Sequence, residues 1–325
     1  MLGRIVEIAE DGRYLCLHRG FLVVQATGPA RAEVGRVPLD DLSAVIANGH
    51  GLSYSHNLLV ALGERGVPFV LCGAHHNVTA MLLAADGHHL QARRFDAQMA
   101  ASLPTRKRLW AQIVRAKLAQ QAATLSAVGA PTAPLQALVA KVRSGDPDNL
   151  EAQGARRYWG LLMGAEFRRD QAAGGVNGLL NYGYTVLRAC TARAVVAAGL
   201  HPTLSLHHRN EGNALRLVDD VMEPFRPIVD LRVWHLAQQG RTEVDAATKR
   251  ELVAALFDEL KTDAGHTPVT VCAQRLAVSL AQVFLGERQR LDLPAPGLAP
   301  QSPSGWGPEA LSGLHDLAPH VAHAC

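Results

Sequence analysis

The apolar residues of this chain change their period once, near Asp86-Gly87, and that change dictates a fold in two parts. Before it, the apolar runs are short and rich in β-formers: Arg4-Ile5-Val6-Glu7-Ile8, Arg13-Tyr14-Leu15-Cys16-Leu17, Phe21-Leu22-Val23-Val24-Gln25 and Ala44-Val45-Ile46-Ala47. Gly, Asp and Pro separate them, which is the pattern of strands joined by turns. Asp11-Gly12, between the first two runs, is a hairpin-type turn signal. One helix interrupts, capped by Ser55, running through Leu58, Leu59, Ala61 and Leu62, and closed by Gly66. Val67-Pro68-Phe69-Val70-Leu71-Cys72 then reads as a further buried strand.

Beyond residue 86 the period becomes helical. Pro104 opens a long helix in which Trp110, Ile113, Val114 and Leu118 recur at three- and four-residue steps. Asp148 and Glu151 form a capping-box-like start to a helix running through Tyr158, Leu161 and Phe167. Gly174-Gly175 breaks the chain before an apolar helix from Leu179 to Gly199, and helices around 230–239, 243–262 and 269–292 complete a second core. Residues 294–325 are dominated by Pro, Gly, Ser and Ala without periodicity. The expected class is therefore α+β: a small β-sandwich-like domain over 1–85, a linker over 86–103, a larger all-α domain over 104–292, and a disordered tail over 293–325.

Composition excludes several classes of function. No run approaches the ~18 consecutive apolar residues of a transmembrane helix, and the amino terminus lacks the apolar core of a secretory signal. No membrane role is expected. The five cysteines (Cys16, Cys72, Cys190, Cys272 and Cys325) are scattered and form no CxxC pair. That argues against a disulfide framework or a structural zinc site and fits a cytoplasmic protein. The distribution of charge says more than its net value of +3. Between 91 and 120 stand seven cations (Arg93, Arg94, Arg106, Lys107, Arg108, Arg115 and Lys117) against the single acid Asp96. Such a helix is either an ordinary solvated face or a surface that contacts phosphates.

The chemistry concentrates in His207-His208 and in Asp219-Asp220-Val221-Met222-Glu223-Pro224-Phe225-Arg226-Pro227. Asp220 and Glu223, three apart, share a helix face, where neighbouring carboxylates repel unless a cation lies between them. With an imidazole added, the set suits a hard divalent ion; it equally suits an acidic turn beside a surface histidine.

Four ordered motifs carry a resemblance. They are Asn149-Leu150-Glu151 with Ala155-Arg156-Arg157-Tyr158-Trp159; Leu180-Asn181-Tyr182-Gly183-Tyr184; Leu206-His207-His208; and Asp220 through Pro227. In this order they resemble the CRISPR-associated integrase of spacer acquisition, the universal adaptation endonuclease. Lys107-Arg108-Leu109-Trp110 and Gly87-His88-His89 look like its type II branch, and the likeness spans roughly residues 1–290.

The resemblance implies an N-terminal β domain used for homodimerisation, a helical catalytic domain and a small CRISPR-associated companion subunit. It also implies a Mg²⁺ or Mn²⁺ site built from Glu151, His208, Glu223 and Asp220, with Glu223 ranked above Asp220 and Asp219 last. His208 is preferred to His207 by the register of the motif. The implied reaction inserts a short double-stranded DNA fragment at the border of a repeat, by 3′-OH attack on a phosphodiester. Arg156, Arg157, Arg168 and Arg169, expected on the helix of Glu151, would hold DNA phosphates together with Arg93, Arg94, Arg106, Lys107 and Arg108. Some of these would instead pair with acids such as Glu166 and Asp170. A stand-alone metal-dependent nuclease and a non-catalytic DNA-binding scaffold are the competing readings. The doublets His75-His76 and His88-His89 read as exposed turn residues or DNA contacts rather than a second metal site, and Trp110, Trp159 and Trp234 as core.

Overall fold

A computed structural model describes residues 3–28, 31–73 and 78–297. The doublet His75-His76 and most of the expected tail lie outside these residues. The chain divides into two compact units between Ala85 and Asp86.

The first unit holds two four-stranded sheets. One has the order β1-β5-β7-β8, from β1 (Arg4–Ile8), β5 (Leu42–Ala47), β7 (Phe69–Cys72) and β8 (Val78–Leu82). β5 lies parallel to both β1 and β7, while β8 runs antiparallel at the edge. The other has the order β4-β3-β2-β6, from β4 (Glu33–Pro38), β3 (Phe21–Ala26), β2 (Arg13–His18) and β6 (Ser53–Tyr54). Leu15, Leu22 and Val24 of the second sheet share a core with Val6, Val45 and Phe69 of the first. Leu58 and Leu62 of α1 (His56–Glu64) join the same core. The Ser55 hydroxyl accepts from the Leu58 amide and caps α1.

Asp11-Gly12 does not make a hairpin, because β1 and β2 belong to different sheets. The pair instead carries the chain from one sheet to the other, with the Asp11 carboxylate accepting from the His50 amide. The tight hairpin is β2–β3, closed by Arg19 and Gly20 at φ 46° and 81°. Two consecutive left-handed residues give the turn a twist that matches the strands it joins.

The second unit contains α2 (Gln91–Ala100), α3 (Leu103–Ala127), α4 (Ala133–Val139), α5 (Leu150–Met163) and α6 (Val176–Ala197). It continues with α7 (Arg216–Met222), a 3₁₀ turn (Glu223–Phe225), α8 (Arg226–Gln238), α9 (Ala246–Ala254) and α10 (Val269–Phe284). The stretch expected as a linker thus contains a helix, α2. The unit is not all-α either: between α9 and α10 lies a two-stranded hairpin, β9 (Glu259–Thr262) and β10 (Gly265–Pro268). Gly265 and Pro268 interrupt a helix there, while Leu260 is buried between exposed neighbours, the alternation of a half-buried strand. Residues just past 292 also remain attached, since the Ala295 amide donates to the Lys261 carbonyl and the Gly297 amide to Gln120 Oε1.

α6 is the buried axis of this unit and packs against α7, α8, α9 and α10. α3 packs against α4, α5, α8 and the 3₁₀ turn. Two glycines permit close approach. A Cβ on Gly154 would lie 2.1 Å from Leu118 Cδ2, and one on Gly183 would lie 2.4 Å from Val229 Cγ1. Gly154 thus lets α5 settle on α3, which sets the separation of the side chains described next.

Candidate active site

Glu151 lies in the first turn of α5, but its helix starts differently from a capping box. Asn149 is left-handed (φ 51°) and does not cap. The buried Asp146, also left-handed (φ 47°), accepts from the amides of Leu150 and Glu151, each at 2.9 Å. A carboxylate at a helix N-terminus meets unpaired amides and the positive end of the dipole. The turn is tied to α3 by the Gly145 amide, which donates to the Lys107 carbonyl. α5 ends at Met163, so Phe167, Arg168 and Arg169 lie beyond it rather than on the helix of Glu151.

Glu223 begins the 3₁₀ turn between α7 and α8, where Pro224 and Pro227 lack the amides of a continuous α-helix. Its carboxylate is almost entirely buried, and Lys117 of α3 places Nζ 2.5 Å from Glu223 Oε2 while also pairing with Glu151 Oε1. Arg226 Nε adds an ion pair at 3.1 Å to Glu223 Oε1. Burial alone would push the Glu223 carboxyl up, but the Arg226 and Lys117 cations outweigh it and hold it at about 2. Lys117 shows the reverse balance. Burial disfavours its charge, yet Glu223 and Glu151 raise its pKa above the ordinary lysine value.

Asp220 is fully buried and committed to the loop before it. Oδ2 accepts from the amides of Leu206 (2.6 Å) and His207 (3.1 Å), and Oδ1 from the His208 amide (3.3 Å). The same Oδ1 lies 2.6 Å from His208 Nδ1. That hydrogen bond, ahead of the opposing burial, raises the His208 pKa. An imidazole held by carboxylate at Nδ1 keeps Nε2 as its ligand atom. His207 is used differently: its ring stacks on Trp110 at 4.4 Å with the planes 1° apart, and burial lowers its pKa. Asp219 pairs with Arg188 at 2.8 Å, and Asn213 bonds to both, which fastens the loop to α6.

The four expected ligands therefore gather as two pairs, Glu151 with Glu223 through Lys117, and His208 with Asp220. Among the described residues, no three His, Cys, Asp or Glu side chains converge closely enough to hold a metal ion. The donor chemistry nonetheless fits a hard cation, because two carboxylates from separate helices already share one positive charge and an imidazole is oriented beside them.

A neighbouring cluster joins two motif tyrosines to an acid, Asp230, that stands in no motif. Asp230 on α8 is buried and accepts from the hydroxyls of Tyr158 on α5 (3.1 Å) and Tyr184 on α6. Burial pushes its carboxyl up to about 7 despite these hydrogen bonds and the Arg226 charge. Asn181, from the same motif as Tyr184, is structural: it accepts from Arg169 at 2.6 Å and donates to the Gln171 carbonyl.

The expected phosphate-binding cations divide into two groups. Arg93, Lys107, Arg108, Arg156 and Arg157 are exposed. Arg94 donates to the Ala198 carbonyl and Arg106 to the Met99 carbonyl. Arg168 donates to the carbonyls of Ala165 and Phe167, while Arg169 bonds Asn177 and the Asp170 carbonyl. Among the described residues, the expected pairing with the carboxylates of Glu166 and Asp170 is thus replaced by hydrogen bonds to backbone carbonyls and to the side-chain oxygens of Asn177 and Asn181. Lys117 leaves the basic surface altogether.

A family model described as CRISPR associated protein Cas1 matches residues 6–263. The chain is 33% identical over 297 residues to the CRISPR-associated endonuclease Cas1 of Neisseria meningitidis serogroup C (strain 8013), covering 90% of this chain and 96% of that relative. A casposase bound to integration product has a similar fold (TM-score 0.76, 18% identity), covering 89% of this chain and 92% of that one. So does a chain of a Cas6-RT-Cas1–Cas2 complex (TM-score 0.71, 17% identity), matched over 90% of this chain and 36% of that one.

Proposed function

This chain belongs to the Cas1 family of CRISPR-associated endonucleases, and from that membership we propose that it inserts short DNA fragments into a CRISPR array by metal-dependent transesterification. The observation that carries the proposal is the meeting of Glu151 and Glu223 on one cation, beside a His208 ring already oriented by Asp220. Glu151, Glu223 and His208 Nε2 would hold Mg²⁺ or Mn²⁺. Such an ion supplies Lewis-acid polarisation of the scissile phosphate and neutralises charge in the pentacovalent transition state.

In the proposed reaction the 3′-OH of the fragment attacks a phosphodiester at the repeat border. A new P–O bond forms, the old one breaks, and the proton lost by the nucleophile balances the one taken up by the departing oxygen. Asp220 acts here by fixing the His208 ring rather than as a ligand. Arg93, Lys107, Arg108, Arg156 and Arg157 offer exposed charge to DNA phosphates, so affinity should fall steeply with salt. The casposase engaged with its integration product supports an integrase reading, and the Cas1–Cas2 complex supports a small companion subunit for this chain. Homodimerisation through the β unit completes the proposal.

A strand-transfer assay with a 3′-OH duplex and a plasmid bearing the repeat tests it. Joined product is expected from the wild type with Mn²⁺. Glu151→Ala and His208→Ala should lower joining by on the order of 10²–10³-fold while keeping the fold and DNA binding. Cleavage without joining would favour the stand-alone nuclease. Joining that survives both substitutions would overturn the assignment of the site.

A further inference from the structure

Lys117 occupies a position that ordinary packing does not explain. It lies on the inward face of α3 among Trp110, Ile113, Val114 and Leu118, all 2% exposed or less, and is itself only 7% exposed. Lysines are rarely buried to this degree unless paired. Its Nζ reaches two carboxylates that approach from different helical segments, Glu151 Oε1 and Glu223 Oε2. Glu223 has a second cation in Arg226, whereas among the described residues Glu151 has only Lys117 as an ion-pair partner. The two carboxylates also differ in access, with side-chain exposures of 26% for Glu151 and 6% for Glu223.

We propose that Lys117 is a tethered cation which fills the space between Glu151 and Glu223 in the metal-free protein and competes with the divalent ion for those two carboxylates. The inference rests on the metal reading of the site given above. Its physical basis is that the same oxygens cannot hold a divalent ion and remain in contact with an ammonium, since the two positive charges would lie within a few ångströms of each other in a poorly solvated interior. Loading therefore requires Nζ to withdraw, first from the more accessible Glu151. A flexible four-carbon stem carrying a point charge can do this, where a planar guanidinium held in a bidentate pair would resist. Without Lys117 the carboxylates would repel, and the metal-free chain would lose stability that an ion could restore. Lys117 thus keeps the unloaded site assembled and sets how tightly an ion binds.

The experiment uses the full chain. Mn²⁺ uptake is followed by the electron paramagnetic resonance signal of the free ion, and melting is measured in EDTA and in saturating Mn²⁺. For Lys117→Met we expect a lower Tm in EDTA, a larger rise with Mn²⁺ than in the wild type, and Mn²⁺ binding at least about tenfold tighter. Lys117→Arg keeps the competing charge and should bind no tighter than the wild type. If Lys117→Met fails to fold in EDTA, recovery of folding by Mn²⁺ supports the proposal, and Lys117→Gln, which keeps a donor without the charge, supplies the affinity comparison. A lysine that merely fills the core predicts loss of stability with Mn²⁺ affinity unchanged or weaker, and that result would overturn the inference while leaving the metal site standing. A wild type that takes up no Mn²⁺ would instead remove the metal site and this inference together.

Discussion

Glu223 and Asp230 lie seven residues apart, close to two turns of one helical run, and both are almost completely buried. Their surroundings give them opposite characters. Lys117 and Arg226 meet Glu223 with full positive charges and hold its carboxyl at about 2. Tyr158 and Tyr184 meet Asp230 with neutral hydroxyls, and burial takes its carboxyl to about 7. Burial penalises a carboxylate in both places; only a cation repays that penalty in full. One helical run, a 3₁₀ turn leading into α8, thus carries a permanent anion, suited to exchanging one cation for another, and a carboxyl that can hold a proton near neutral pH.

The comparison is broken most severely at the charged end. Glu223→Gln leaves Lys117 and Arg226 buried with less negative charge to balance them. Removing one partner of a buried ion pair costs about 3–5 kcal/mol, and urea unfolding at pH 7 should show a loss of that size. Added Mn²⁺ should not restore it, because the same substitution removes a proposed ligand. A loss under about 1 kcal/mol would mean that water reaches these charges and that Glu223 is not the permanently ionised group described.

The two carboxylates also differ in how far the sequence announces them. Glu223 is legible through its motif, and the change of period near Asp86 is legible in the spacing of apolar residues. The helix caps are less so: Asp148 and Glu151 have the spacing of a capping box, but Asp146 does the capping, because two left-handed residues bring its carboxylate back onto the amides. The β9–β10 hairpin is hidden by its shortness within helical surroundings. Lys117 carried a signal that its company in a basic run obscured. It lies seven residues after Trp110, four after Ile113 and three after Val114, on the apolar stripe rather than beside it. A cation at that position must be paired, but its partners are contributed by two distant segments, which no local pattern identifies. Asp230 has no motif at all; its character is set by burial, only partly offset by two phenols from α5 and α6, and packing alone brings these together.

At the neutral end, Asp230→Asn should remove a pH dependence. An acid whose pKa is raised on folding binds its proton more tightly in the folded chain. Between the unfolded value near 3.8 and the folded value of about 7, the folded state therefore carries more protons. Stability contributed by that proton is fully present below the window and is lost as pH rises through it, by up to about 1.4 kcal/mol per pH unit. Asp230→Asn resembles the protonated carboxyl and should flatten this part of the stability profile, as read by urea unfolding from pH 4 to 8. An unchanged slope would show that Asp230 is ionised throughout and does not differ from Glu223 in kind.

The smallest effect separates the two phenols from mere packing. Tyr158 donates to Asp230 Oδ2 at 3.1 Å, while Tyr184 serves Oδ1. Tyr158→Phe keeps the ring and removes one donor, so the ionised carboxylate loses more than the protonated one does. The pKa of Asp230 should rise further and the upper end of its pH window should move above 7. Stability should fall by about 1–3 kcal/mol above that window, the cost of an unsatisfied buried partner, and by less below it, where the carboxyl is already neutral. A cost that is the same at pH 5 and pH 8 would show that the hydroxyl contributes shape rather than charge stabilisation. In that case Tyr184 alone supports the Asp230 carboxylate, and a Tyr184→Phe variant should show the pH-dependent loss that Tyr158→Phe lacks.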